Sequence, residues 1–110
     1  AFYESTDLKT WRFLSHFGPT GDTTKVWECP ALVRVPIQNE AGQSRWMLFI
    51  SAGHPQPGYV GMQYFVGDFD GTTFTLDPEN PKPTAPAVAN VVDWGKDYYA
   101  AIQFNHLPAS

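Results

Sequence analysis

The chain lacks most of what would tie it to a charged polymer or to a membrane. Lys and Arg number seven among 110 residues and form no cluster, and the net charge is −4. Phosphate binding needs a basic face, so a nucleic acid is not expected as a partner. The same acidic balance offers nothing to an anionic lipid surface. No apolar run reaches the length of a membrane span, and no basic-then-apolar leader is visible in these residues. One cysteine, Cys29, excludes an intramolecular disulfide. The three histidines, His16, His54 and His106, have no carboxylate or thiol at ligand spacing, so no metal is expected. There is no glycine-rich phosphate loop, and no other cofactor motif. No Ser-His-Asp arrangement is legible.

What the chain does have is rings and turns. Aromatic residues make up 15% and charged residues only 16%, which excludes a disordered tail. Ten prolines and nine glycines argue against long helices. Residues 31–37 are β-rich, 38–44 form a polar loop with Asn39 and Gly42, and 45–51 are a short buried-strand run. A glycine- and proline-rich loop covers 52–61. Residues 62–69 are a third strand, and Asp70-Gly71 signals a hairpin of type I′, whose central residues need positive φ. Residues 72–76 return as a fourth strand. The expected fold is all-β, with 31–76 a four-stranded antiparallel meander, the unit of a β-propeller blade or a piece of a sandwich. Residues 2–14 read as closing strands of an earlier unit, with Asp7 to Trp11 at the turn. Residues 77–90 read as a proline-rich irregular connector, and 91–104 as a new β-rich stretch. Glu28 and Asp93 would then each stand at the first strand of a unit. One blade cannot bury both faces and its edges, so the chain is expected to be part of something larger.

The densest chemistry lies in Trp27-Glu28-Cys29-Pro30. Pro30 pushes the preceding residue toward extended backbone. A Glu held against the Trp27 ring would be poorly solvated and kept protonated, as a general acid requires. The ordinary alternative is a Glu at a strand entrance. Trp27 itself is expected to pack. Trp46, Phe49, Tyr64 and Phe65 are core candidates.

In order along the chain stand Ser5-Thr6-Asp7-Leu8-Lys9-Thr10-Trp11, then Trp27-Glu28-Cys29-Pro30-Ala31-Leu32. These are followed by Gln63 to Phe74, and by Asp93-Trp94-Gly95-Lys96-Asp97-Tyr98-Tyr99-Ala100. Together they resemble glycoside hydrolase family 32, the invertases, inulinases and levanases. The resemblance implies an incomplete stretch, residues 1–110, of a five-bladed β-propeller catalytic domain. It runs from the end of the second blade, through the third, into the start of the fourth. It also implies retaining hydrolysis of terminal β-D-fructofuranosides such as sucrose, inulin or levan, in a secreted or periplasmic parent protein. Glu28 falls on the family's acid/base. The nucleophile and transition-state-stabilising motifs, Asn-Asp-Pro and Arg-Asp-Pro, are absent and are expected upstream of Ala1. Cys29 either tunes Glu28 or touches the sugar, or it is a small buried hydrophobe. Asp93 and Lys96 either orient the acid/base and the leaving-group side of the substrate, or form a surface ion pair. Alone, the segment is expected to be inactive. The competing readings are a propeller-derived carbohydrate-binding or interaction module without catalysis, and an orphan piece with no activity.

Overall fold

β-Branched and aromatic residues at alternate positions, cut by turns, build an all-β chain. In the computed structural model, residues 1–78 and 90–104 are described. Strands β1 (Phe2–Glu4) and β2 (Arg12–Ser15) pair antiparallel, with Tyr3 opposite Phe13 and Glu4 opposite Arg12. Their connection is organised by Asp7, whose Oδ1 accepts the N–H groups of Lys9 and Thr10, both at 2.8 Å. The Thr10 and Lys9 amides favour the ionised carboxyl and hold its pKa below the ordinary value.

Strands β3 (Glu28–Pro36), β4 (Ser44–Ser51), β5 (Met62–Phe69) and β6 (Phe74–Leu76) form a four-stranded antiparallel meander in chain order. The expected unit is therefore present, with its first strand starting earlier, at Glu28, and its last starting later, at Phe74. The β5–β6 turn differs in kind from the expected type I′. Its loop spans residues 70–73, between the paired Phe69 and Phe74, and only Gly71 has positive φ, at 95°. Asp70 works through its side chain, accepting Thr72 N–H at 2.8 Å and Thr73 N–H at 2.7 Å.

The period of two places Leu32, Leu48 and Phe65 in register across three strands. On that face Leu48, Ile50, Ala52, Phe65 and Phe74 are buried. Phe17 seals them edge-on, its centroid 5.1 Å from both Phe65 and Phe74, and Trp27 lies 5.8 Å from Phe65. Burying a large side chain such as Leu48, Ile50, Phe65 or Phe74 contributes about 1.5–3 kcal/mol. On the opposite face Val33, Met47 and Val66 are in register, as are Ala31, Phe49 and Tyr64, all half-buried. Of the expected core rings, Phe65 is buried, while Trp46, Phe49 and Tyr64 are half-buried. A sheet apolar on both faces is suited to packing between neighbouring layers.

The expected β-rich stretch 91–104 is not a strand. It makes two isolated bridges, Val91 to Gln63 and Asp97 to Val60. Met62 O accepts Val92 N–H at 2.8 Å and Asn90 O accepts Tyr64 N–H at 2.9 Å, so the segment takes up the β5 edge beyond β6. It cannot continue as a ladder, because Asp93 bends onto Gly95 N–H at 2.6 Å and Ala100 turns at φ 54°. Asp93 therefore does not head a strand as Glu28 does. The proposed connector lies mainly, and His106 wholly, outside the described residues.

Candidate active site

The site forms where the start of β3 meets the end of β4. Glu28 pairs with Ser51, and the next pair is Ala31 with Phe49, so the β3 side carries one extra residue. This is a bulge, a device that re-aims a side chain at a sheet end. Cys29 sits in it at φ 46°, left-handed for a non-glycine residue before proline. The extended conformation expected from Pro30 gives way to the geometry of the bulge. Such a conformation costs on the order of 1–3 kcal/mol and persists only where its surroundings impose it.

The surroundings of Glu28 differ from those expected. Trp27 does not hold it: the indole packs on Phe17 and Phe65 and donates from Nε1 to Asp22 O at 2.7 Å. Consecutive strand residues face opposite sides, so Glu28 is directed away from that core. It is exposed, and its Oε2 accepts the Tyr99 hydroxyl. That bond, desolvation and the carboxylate's charge push the Tyr99 pKa up to about 12, so the hydroxyl keeps its proton.

Glu28 and Tyr99 border a cleft of about 690 Å³. Most of the loop 52–61 forms its wall, including Gly53, His54 and Tyr59. Its floor is a buried polar corner. Gln63, 0% exposed, accepts Asp22 N–H through Oε1 at 2.9 Å and donates through Nε2 to Asp22 O at 3.0 Å. The Asp22 carboxylate, on a residue 7% exposed, accepts Thr24 N–H at 2.8 Å and its hydroxyl at 2.6 Å. Gly53 (φ 71°) passes so close that a Cβ there would lie 1.9 Å from Asp22 Oδ2, so only glycine fits. On the wall, His54 Nδ1 accepts Gln56 N–H at 3.0 Å, which leaves Nε2 to carry the proton of the neutral ring. That Nε2 is buried without a partner, and Tyr59 lies 5.0 Å and Trp94 5.8 Å from the ring centroid.

The other candidate residues from the sequence are not among those that line the cleft. Cys29 is exposed, so it does not fill a core position. Asp93 is engaged by Gly95 N–H, and Lys96 is fixed by its carbonyl, which accepts Val60 N–H at 3.0 Å. Among the described residues, neither side chain bonds to Glu28 or to the other. Tyr99, from the same run, is the residue delivered to Glu28. Sequence reasoning missed it, along with Gln63 and Asp22. A lone Gln inside the apolar run 62–66 was a usable signal, since a polar residue there must find buried partners.

A four-stranded antiparallel meander with a carboxylate at the open end of its first strand is the arrangement expected of a propeller blade. The chain belongs to glycoside hydrolase family 32: the model described as "Glycosyl hydrolases family 32 N-terminal domain" matches residues 1–109. It is 45% identical over 111 residues to the extracellular exo-inulinase of Aspergillus awamori, covering 97% of this chain and 20% of the relative. It is 41% identical over 110 residues to the levanase of Bacillus subtilis (strain 168), covering 98% and 15%. A glutamate-to-alanine variant of a fructofuranosidase from Schwanniomyces occidentalis, solved in complex with fructosylnystose, superposes with TM-score 0.77. It is 36% identical and covers 96% of this chain and 19% of that one. The fold is thus part of the family's β-propeller. The chain spans about a fifth or less of these relatives' lengths.

Proposed function

We propose that the chain is the part of a retaining β-fructosidase that supplies the acid/base, Glu28. The observation that carries this reading is the placement of Glu28. It stands at a bulged strand end, in a cleft, with one oxygen held by Tyr99, in a chain that matches the family along nearly its whole length. The nucleophile comes from elsewhere in the same polypeptide. Asp22, the other carboxylate lining the cleft among the described residues, caps Thr24 through Oδ1.

The chemistry is a double displacement. The nucleophile carboxylate attacks the anomeric carbon of the fructosyl unit while Glu28 protonates the departing oxygen. Water then releases fructose from the fructosyl-enzyme, with Glu28 as base. Retention requires the two carboxyl groups about 5–5.5 Å apart. The substrate is a terminal β-fructofuranoside: sucrose, inulin or levan. Cys29, Asp93 and Lys96 are the further residues assigned to the leaving-group side of the substrate. The segment runs from the end of the second blade into the start of the fourth, with 31–76 the core of the third. The parent protein is secreted, as the name of the exo-inulinase relative indicates for that protein.

The test is fructose release by the full-length protein from sucrose, inulin and levan. Glu28→Gln is expected to cut turnover about 10²–10⁴-fold with the fold intact. Near-wild-type turnover would remove Glu28 from the mechanism. Fructan binding without cleavage by the unmodified protein would favour the non-catalytic binding module. The isolated 110 residues, with one half of the catalytic pair, are expected to release no fructose.

A further inference from the structure

We infer that Tyr99 is a positioning residue for Glu28, occupying Oε2 so that Oε1 is the oxygen that exchanges the proton with substrate. The inference rests on the acid/base reading of Glu28 and adds to it which oxygen works and what holds it.

The geometry begins at Ser51, which is fully buried and is the strand partner of Glu28. Ser51 also receives the 99–100 segment twice. Its Oγ accepts Ala100 N–H at 3.0 Å, and its carbonyl lies 3.4 Å from the Tyr99 hydroxyl. Ala101 N–H reaches Met62 Sδ at 3.2 Å, and Val60 N–H binds Lys96 O at 3.0 Å. One buried residue therefore fixes both the backbone that bears Glu28 and the backbone that bears Tyr99. The phenol spans a sequence separation of 71 residues to reach the carboxylate.

A hydroxyl that donates to Oε2 favours the carbonyl oxygen there, the stronger acceptor of a neutral carboxyl, so the acidic proton is favoured on Oε1. In the first step the Oε1–H bond breaks and the proton goes to the leaving oxygen. The bond from that oxygen to the anomeric carbon breaks with its electron pair, and the nucleophile's oxygen bonds to the carbon. Glu28 gains negative charge during this step, and the Tyr99 bond becomes charge-assisted as it does so. An interaction stronger in the transition state than in the ground state accelerates the reaction. In the second step a water proton moves to Oε1 while the water oxygen displaces the nucleophile. Tyr99 keeps its own proton throughout.

The experiment compares kcat/KM, which reports formation of the fructosyl-enzyme, for two substrates of the full-length protein. Sucrose has a leaving group that needs protonation. p-Nitrophenyl β-D-fructofuranoside has one that hardly does. Tyr99→Phe is expected to lower kcat/KM on sucrose about 10- to 100-fold, the size of a lost hydrogen bond to a charged group, and to leave the aryl substrate nearly unchanged. Ser51→Ala, which removes the Ala100 anchor, is expected to show the same selectivity at smaller size, and it decides the matter if the phenylalanine variant does not fold. An equal fall on both substrates, or no fall on either, overturns the inference. Glu28→Gln in the same series separates the two claims. If it too is near wild type, the acid/base reading fails. If it is inactive on sucrose while Tyr99→Phe is unselective, only the role of Tyr99 fails.

Discussion

The floor and the rim of the cleft are built in opposite ways. At the floor, Gln63 is fully buried and holds both backbone groups of Asp22, while Trp27 adds a third bond. The Gln63 amide and both backbone groups of Asp22 are thus engaged with one another. At the rim, Glu28 is exposed, held through one oxygen by a residue from a distant segment, next to a left-handed Cys29. Satisfied buried networks rigidify a fold, whereas an unsatisfied, strained, accessible group is free to meet a ligand. Under the proposed function, the floor serves stability and the rim serves the reaction.

Substitutions on the two sides should therefore fail differently. The largest effect is expected at the rim. Glu28→Ala should lower sucrose turnover about 10²–10⁴-fold, with a melting temperature near that of the unmodified protein. A melting temperature that fell with activity would erase the distinction. Next comes the floor. Gln63→Leu leaves the buried Asp22 N–H without its partner, at about 1–3 kcal/mol, read as a lower denaturation midpoint. Turnover per folded molecule should fall much less than for Glu28→Ala. Third is the backbone of the rim. Cys29→Val puts a β-branched residue at φ 46° and should cost about 1 kcal/mol, while Cys29→Gly should hold its stability. If the glycine variant loses as much activity as the valine variant, the thiol itself is needed.

The smallest effect lies far from both sides, at the β5–β6 turn. The Thr73 and Thr72 amides hold the Asp70 pKa below its ordinary 3.8 in the folded chain. A lowered folded-state value stabilises above the unfolded pKa, and the contribution disappears as pH falls through the folded value. Melting curves taken between about pH 5 and pH 2 should fall less steeply for Asp70→Asn than for the unmodified protein. Equal slopes would show that the turn charge does not matter.

Much of the fold could be read from the residues because local signals and global packing agree. The four runs from residue 31 to residue 76 carry β-branched and aromatic residues between strong turn signals, and they pair in order. The turn at Asp70 was legible as a hairpin but not in type, because side-chain capping by Asp70 competes with positive φ as a way to close a loop. The stretch 91–104 misled because its valines and tyrosines have strand propensity. Asp93, Gly95 and Ala100 break the ladder, and its partners come from β5 and Ser51 rather than from its own neighbours. The motif around Glu28 pointed to a candidate acid/base but not to its surroundings. The Trp27 ring looked adjacent in sequence, yet alternation sends it to the opposite face, and the residue that reaches Glu28 lies far along the chain.

The most direct test of the central claim, that Glu28 is the acid/base of a retaining reaction, is azide rescue of the Glu28→Ala variant of the full-length protein. The substrate is the p-nitrophenyl β-fructofuranoside. Its leaving group departs without protonation, the fructosyl-enzyme forms, and hydrolysis then stalls for want of a base. Azide needs no base and fits the space left by the carboxylate. The expected result is turnover that rises with azide concentration and a fructosyl azide product of β configuration. A variant that turns over like the unmodified protein, or one that azide does not accelerate, contradicts the claim.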